Sequence, residues 1–318
     1  MANVLIEQNK DLSLETISTQ FLALKNSAHT RKAYRIDIRQ FLCFLNITGK
    51  SFSVFLKIPL PEMTDAIARF LEKYKKRDID GHVINPNTIN RKRYTLVSFF
   101  RYLMEAYDFQ KNPALLIPVL QKSKHSNTSA LSEAEIRQTM RYMKEQRTKG
   151  KKHFRDYLII LGLFHFALRR HELASLKWSD IHHPNHFRLR EKGGKIKYLP
   201  IPPKYFQYLK EFEELYGRPC SYIFHPIKNN RTKTLEKPLS TNTLLIIVEK
   251  VAVHLFPGRG ITPHSFRSSF VSLARDNGVD DKMIMNATGH SSSDMINYYD
   301  VRHLLRANAV HFFGEWIE

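Results

Sequence analysis

The stretch HFRLREKGGKIKYLPI, residues 186–201, is where this chain departs from a helical pattern. Two short runs, 186–191 and 195–201, flank Gly193 and Gly194, a pair suited to the tight turn of a β-hairpin. Lys192 stands at the tip of that hairpin. On both sides the apolar spacing is helical, and it resumes from about residue 240 onward. The pattern predicts a mainly α protein with one small β-sheet, the sheet lying in an α+β second domain.

Upstream, Ser132 followed by Glu135 forms a capping box, which announces a helix and a new domain at about residue 131. Residues 113–130 before it read as a linker, with Pro113 and Pro118 in the first half and a polar, basic second half. Residues 1–112 then form an all-helical domain and residues 131–318 a second domain. In the first, Thr30 is placed to cap a helix whose apolar positions are Tyr34, Ile38, Phe41, Leu42 and Leu45. Arg31, Arg35 and Arg39 fall four apart and share one face of it. A further helix, from about Thr88 to Tyr107, places Ile89, Leu96, Phe99, Phe100 and Leu103 inward and carries the basic cluster Arg91, Lys92 and Arg93. These two basic faces are the expected DNA-grasping surface.

The charge supports such a partner. Fifty Lys plus Arg stand against thirty Asp plus Glu among 318 residues, a net +20, and both halves of the chain are basic. A surface that repels itself so strongly suits a polyanion, and two basic domains suit a clamp on duplex DNA. The longest apolar run, residues 157–168, is too short for a bilayer span of about 18–20 residues. Cys43 and Cys220 have neither metal nor redox spacing. No secretory layout is seen near the N-terminus, and a cytoplasmic protein is expected. His171-Glu172 lacks the second histidine of a zinc-protease helix, position 175 being Ser. Pro184 disrupts a shared helical face for His182, His183 and His186. No metal site is expected, and no Walker or dinucleotide motif occurs.

Four stretches of the second domain carry reactive groups: Arg169-Arg170-His171-Glu172-Leu173, Lys192 on the hairpin, His264-Ser265-Phe266-Arg267, and Gly289-His290 followed by Tyr298-Tyr299. Singly each is ordinary, and Tyr299 is one of fourteen tyrosines. Together they form the set that a metal-free phosphodiester cleavage needs: a nucleophile, cations for the non-bridging oxygens, and a donor for the leaving oxygen. Two arginines supply forked donors, a hairpin lysine reaches a 5′-oxygen, a histidine takes the phenol proton, and a tyrosine attacks.

In this order the motifs resemble the tyrosine recombinases, the group of phage integrases and chromosome-dimer-resolving enzymes, and the resemblance spans nearly the whole chain. It implies that Arg169 and Arg267 clamp the phosphate, that Tyr299 is the nucleophile and that Lys192 is the general acid, with Lys195 the near alternative. It makes His264 the general base, His290 a phosphate ligand and Glu172 a support for the arginines. The implied product is a 3′-phosphotyrosine with a free 5′-hydroxyl, and no cofactor is needed. The spacing of nine residues from His290 favours Tyr299 over Tyr298. Phe166-Ala167 replaces a common Thr-Gly, His171 a common Ser, and Ser268 a common second His. A type IB topoisomerase, which shares the chemistry, and a non-catalytic DNA-binding relative remain the rival readings. The apolar tail, with Leu304, Leu305, Val310, Phe312, Phe313, Trp316 and Ile317, either folds on its own domain or docks on a neighbouring subunit. The second option, through the resemblance, implies a tetramer on double-stranded DNA.

Overall fold

The computed structural model describes residues 12–75, 86–121, 129–182, 185–190, 196–228 and 234–300. Lys192, Lys195, the Gly-Gly pair and the apolar tail lie outside the described residues. The chain divides into two compact units, Met1–Ser123 and Lys124–Glu318.

The first unit contains helices α1 (Leu14–Ala23), α2 (Ala28–Phe44), α3 (Phe52–Leu56), α4 (Leu60–Lys73) and α5 (Pro86–Tyr107). Ser13 and Ser27 cap α1 and α2 by accepting the N–H groups of Thr16 and Thr30. Thr30 is therefore a donor inside the first turn, and the cap lies three residues before the position expected for it. Helix α5 starts at Pro86, where the missing proline N–H would have no intrahelical partner in any case. The expected inward faces meet in one core: Ile38, Phe41 and Leu42 pack with Ile89, Leu96, Phe99, Phe100 and Leu103.

Two expectations for this unit are corrected. Lys92 and Arg93 do not belong to an external basic surface. Lys92 is buried, and its amine donates to Asp37 Oδ1 at 3.1 Å and to Gln40. Arg93 is buried and donates to the carbonyls of Ile117 and Leu115. Asp37, fully buried, also accepts from Arg91 and, at 2.9 Å, from Thr95. Helix α5 turns this edge toward α2, and a carboxylate sealed there requires cations beside it. The second correction concerns the linker. Pro113 and Ala114 are buried in a 3-10 turn (Pro113–Leu116), and Asn90 both donates to and accepts from the backbone of Leu120. With Asn90 and Arg93 satisfying its backbone, residues 113–120 belong to the helical unit.

The second unit contains α6 (Glu133–Gln146), α7 (Lys151–His165), α8 (Arg170–Ala174), strands β1 (Ile181–His182), β2 (His186–Arg190) and β3 (Ile196–Pro200), then α9 (Pro203–Tyr216), α10 (Thr241–Leu255), α11 (Pro263–Asp276), α12 (Asp281–Thr288) and α13 (Ser293–Tyr299). The capping box at Ser132 and Glu135 is formed in both directions. Helix α7 is apolar on nearly all sides and runs through the core. At Gly162 an added Cβ would lie 2.9 Å from the Tyr205 hydroxyl, so glycine lets α9 approach closely. The hairpin expected at 186–201 forms with Arg190 opposite Ile196, and β1 extends it to an antiparallel three-stranded sheet. No described helix is long and apolar enough to cross a membrane.

Candidate active site

Arg169 follows a backbone kink. Ala167 has φ +45°, a left-handed conformation that costs a non-glycine residue roughly 1–2 kcal/mol. By the resemblance to tyrosine recombinases, glycine is common at this position, and here alanine makes the turn. Arg169 then caps α8. Glu172, three residues on, accepts the Arg169 N–H at 2.8 Å and its guanidinium at 3.0 Å. One carboxylate thus fixes both the backbone and the side chain of the arginine.

Arg267 projects from the second turn of α11 and is almost wholly buried. It donates to the carbonyl of Ala167, to that of Thr288 at 2.8 Å and to His290 Nε2 at 2.6 Å. Its Nε has no partner among the described residues. Burial, then the charge of Arg169, pushes its pKa down to about 10, so it remains a cation at neutral pH.

Gly289, left-handed at φ +70°, ends α12 and turns the chain toward His290. Thr288 fixes the tautomer of that ring. Its hydroxyl donates to Ile284 O at 2.7 Å and so accepts from His290 Nδ1 at 3.0 Å. Nδ1 therefore carries the proton, and Nε2 offers its lone pair to Arg267. Burial first, then Arg267, Arg169, His264 and Lys197, push His290 down to about 3. His264 is lowered by burial, then by Arg267, Arg169 and Arg170. Both rings are neutral at pH 7, and a neutral imidazole has a lone pair for a proton.

Tyr299 closes α13. Its ring stacks on His290 at 4.7 Å and meets His264 edge-on at 4.8 Å, with the Arg267 guanidinium 5.7 Å from its centre. Tyr298 packs at right angles to Tyr299, in the small apolar cluster of Ile284 and Ile296. The structure thus brings Arg267, His264, His290 and Tyr299 together. Arg169 and Glu172 line the same concavity as His290, a space of about 1020 Å³ that opens beside β3. Sequence reading missed two contributors. Lys197 lines this concavity from the inward face of β3, a position that strand alternation with Leu199 could have revealed. Thr288, by contrast, had no local signal.

The arrangement is a phenol between two neutral imidazoles and a buried guanidinium, beside an open cationic hollow. Residues 129–304 match the model of the phage integrase family, and residues 19–106 match its N-terminal SAM-like domain. The chain belongs to the phage integrase family. It is accordingly an enzyme, and its integrase match includes every reactive residue named above. The tyrosine recombinase XerC of Pediococcus pentosaceus is 27% identical over 300 residues, covering 91% of this chain and 93% of that protein. The tyrosine recombinase XerA of Pyrococcus furiosus is 27% identical over 277 residues, covering 82% and 88%. Among solved structures, a lambda integrase dimer bound to a core site shares the fold at 19% identity and TM-score 0.66, covering 94% of this chain and 80% of that one. The XerH recombinase bound to its palindromic difH substrate does so at 20% identity and TM-score 0.65, covering 89% and 80%.

Proposed function

We propose that this integrase-family enzyme is a site-specific recombinase that cuts and rejoins duplex DNA through a 3′-phosphotyrosine. The observation that carries the reading is the seat of Tyr299 between His264, His290 and Arg267. In the reaction the Tyr299 oxygen attacks phosphorus while its proton passes to neutral His264. Arg169 and Arg267 neutralise the non-bridging oxygens, where positioned donors are worth about 3–4 kcal/mol each. Arriving phosphate draws the Arg267 donors toward itself. His290 Nε2 is then free to take a proton and donate to the same phosphate. Lys192 gives a proton to the departing 5′-oxygen. The phosphate bond energy is kept in the tyrosyl ester, and a 5′-hydroxyl from a partner strand reverses the step. The chemistry calls on no cofactor, because arginines carry the charge that a metal would otherwise carry.

The reading of strand exchange, rather than relaxation alone, draws on relatives named as recombinases across most of their length. It implies a cytoplasmic enzyme working as a tetramer on paired sites, with the helical unit, residues 1–120, gripping the duplex. Arg35 and Arg39 are exposed and suit phosphate contacts, whereas Arg31 donates to the Lys25 carbonyl at the end of α1. Losing the two exposed arginines should flatten the log–log salt dependence of binding by roughly 0.9 per lost contact.

The deciding experiment uses a nicked substrate that traps the covalent complex. Tyr299→Phe should bind DNA like the parent and form no adduct, while Tyr298→Phe should still form one. The reverse pattern moves the nucleophile by one residue. A two-site assay run beside single-site relaxation separates exchange from topoisomerase action.

A further inference from the structure

The turn after Tyr299 is held by a guanidinium that the proposed chemistry does not use. Asp300 is fully buried and ends α13, its N–H donating to Ile296 O at 2.9 Å. Its carboxylate accepts from Arg275 Nη1 at 3.1 Å and from Ser272 Oγ at 3.2 Å. Arg275 lies on the last turn of α11. Its Nε and Nη2 also grip the two oxygens of Asp281, at 2.8 and 2.5 Å, where α12 begins. Nη2 further donates to Asn297 Oδ1 on α13 at 2.9 Å. One planar side chain therefore ties together α11, α12 and α13. Helix α11 carries His264 and Arg267, α12 leads into His290, and α13 ends on Tyr299.

Helix α13 needs such a tie. It has seven residues, and its N-cap Ser292 makes no side-chain capping bond. An isolated helix this short is unstable in water, so tertiary contacts must set its direction. We propose that Arg275 is a positioning residue for strand cleavage: by clasping Asp300, Asn297 and Asp281 it aims the Tyr299 phenol at the cation cluster. Its hydrogen bonds go to Asp281, Asn297 and Asp300 and to none of the proposed reacting side chains. A lysine in its place would keep the charge and lose the fork that reaches three acceptors.

The inference rests on Tyr299 being the nucleophile, and an adduct formed by Tyr299→Phe would sink that reading separately. The test of the clasp is Arg275→Lys, measured on the trapping substrate at saturating DNA. Adduct formation should slow about a hundredfold, the usual effect of a misplacement of about 1 Å. DNA affinity and the pH profile of cleavage should stay those of the parent, because the groups that titrate and bind are untouched. Asn297→Ala removes one acceptor without leaving a buried charge, and should show the same split with a smaller loss. An unchanged rate in both variants overturns the proposal. So does a rate loss accompanied by weaker binding or a shifted pH profile, since that would make Arg275 a support of the whole pocket.

Discussion

Each unit buries a long cation, and the two burials are balanced in opposite ways. In the helical unit the Lys92 amine lies against Asp37, whose carboxylate also takes Arg91 and Thr95. In the second unit Arg267 is buried at least as deeply, yet it donates to two backbone carbonyls and a neutral imidazole, with the Tyr299 side chain beside it. Glu172 lies near enough to oppose the lowering of its pKa, but its hydrogen bonds go to Arg169. A buried charge is costly unless paired. At Lys92 the carboxylate meets that requirement, and the group is architecture. At Arg267 no carboxylate accepts a hydrogen bond, and under the proposed function a phosphate would supply the anion. The lesson is that burial alone does not separate a structural cation from a functional one. The charge of its partners does.

Breaking the functional side should give the largest effect. Arg267→Gln should slow covalent adduct formation about a thousandfold, or about 4 kcal/mol of barrier, as expected for loss of a donor to a developing charge. Single-turnover trapping measures it. A rate near the parent's would mean that Arg267 is another Lys92.

Next comes the structural side. Asp37→Ala leaves Lys92 with a charge and no carboxylate, and should lower unfolding stability by about 3 kcal/mol in a urea titration. Adduct formation per folded molecule should be unchanged. A variant as stable as the parent would show that the carboxylate does not govern that cluster.

The imidazoles allow a finer comparison by pH. Burial, then the neighbouring cations, pushes the folded His290 imidazole down to about 3 from its ordinary 6.5. Between these values the unfolded chain binds more protons than the folded one, so stability falls as the pH drops from 6.5 toward 3. Above 6.5 the group contributes no slope. His290→Asn should flatten the acid limb of a stability–pH curve. An unaltered limb would mean that His290 accepts a proton inside the fold.

The smallest effect concerns the backbone beneath Arg169. Ala167→Gly relieves a left-handed alanine, partly offset by the greater freedom of glycine in the unfolded chain. The gain should be at most about 1 kcal/mol in thermal unfolding. A loss would show that the methyl group of this fully buried residue packs better than its backbone strain suggests.

The helices, the capping box at Ser132 and the hairpin were legible in the sequence because their determinants act over a few residues. A cap reaches three residues along the chain, and a strand pair across a short turn needs no distant partner. The candidate residue types and their order were legible as well, since the proposed chemistry restricts which side chains can serve. Spacing from His290 favoured Tyr299 over Tyr298 as the nucleophile; the structure sets the Tyr299 ring against both histidines, and the adduct experiment decides its role. Other features lay beyond local reading. Lys92 and Arg93 looked like exposed cations because nothing near them announces their partners: Asp37 stands 55 residues from Lys92, and the carbonyls of Leu115 and Ile117 stand 22 and 24 residues from Arg93. Residues 113–120 looked like a linker because Asn90 and Arg93, which hold them, belong to an earlier helix. Arg275 carries no local signal, because Asp281, Asn297 and Asp300 meet it only in the fold. By itself, then, the sequence determined the elements and the reagents, through short-range hydrogen bonds, periodicity and chemical necessity. Only the tertiary structure decided which cations meet a carboxylate and which meet only carbonyls and imidazole, because those partners reach them from distant parts of the chain.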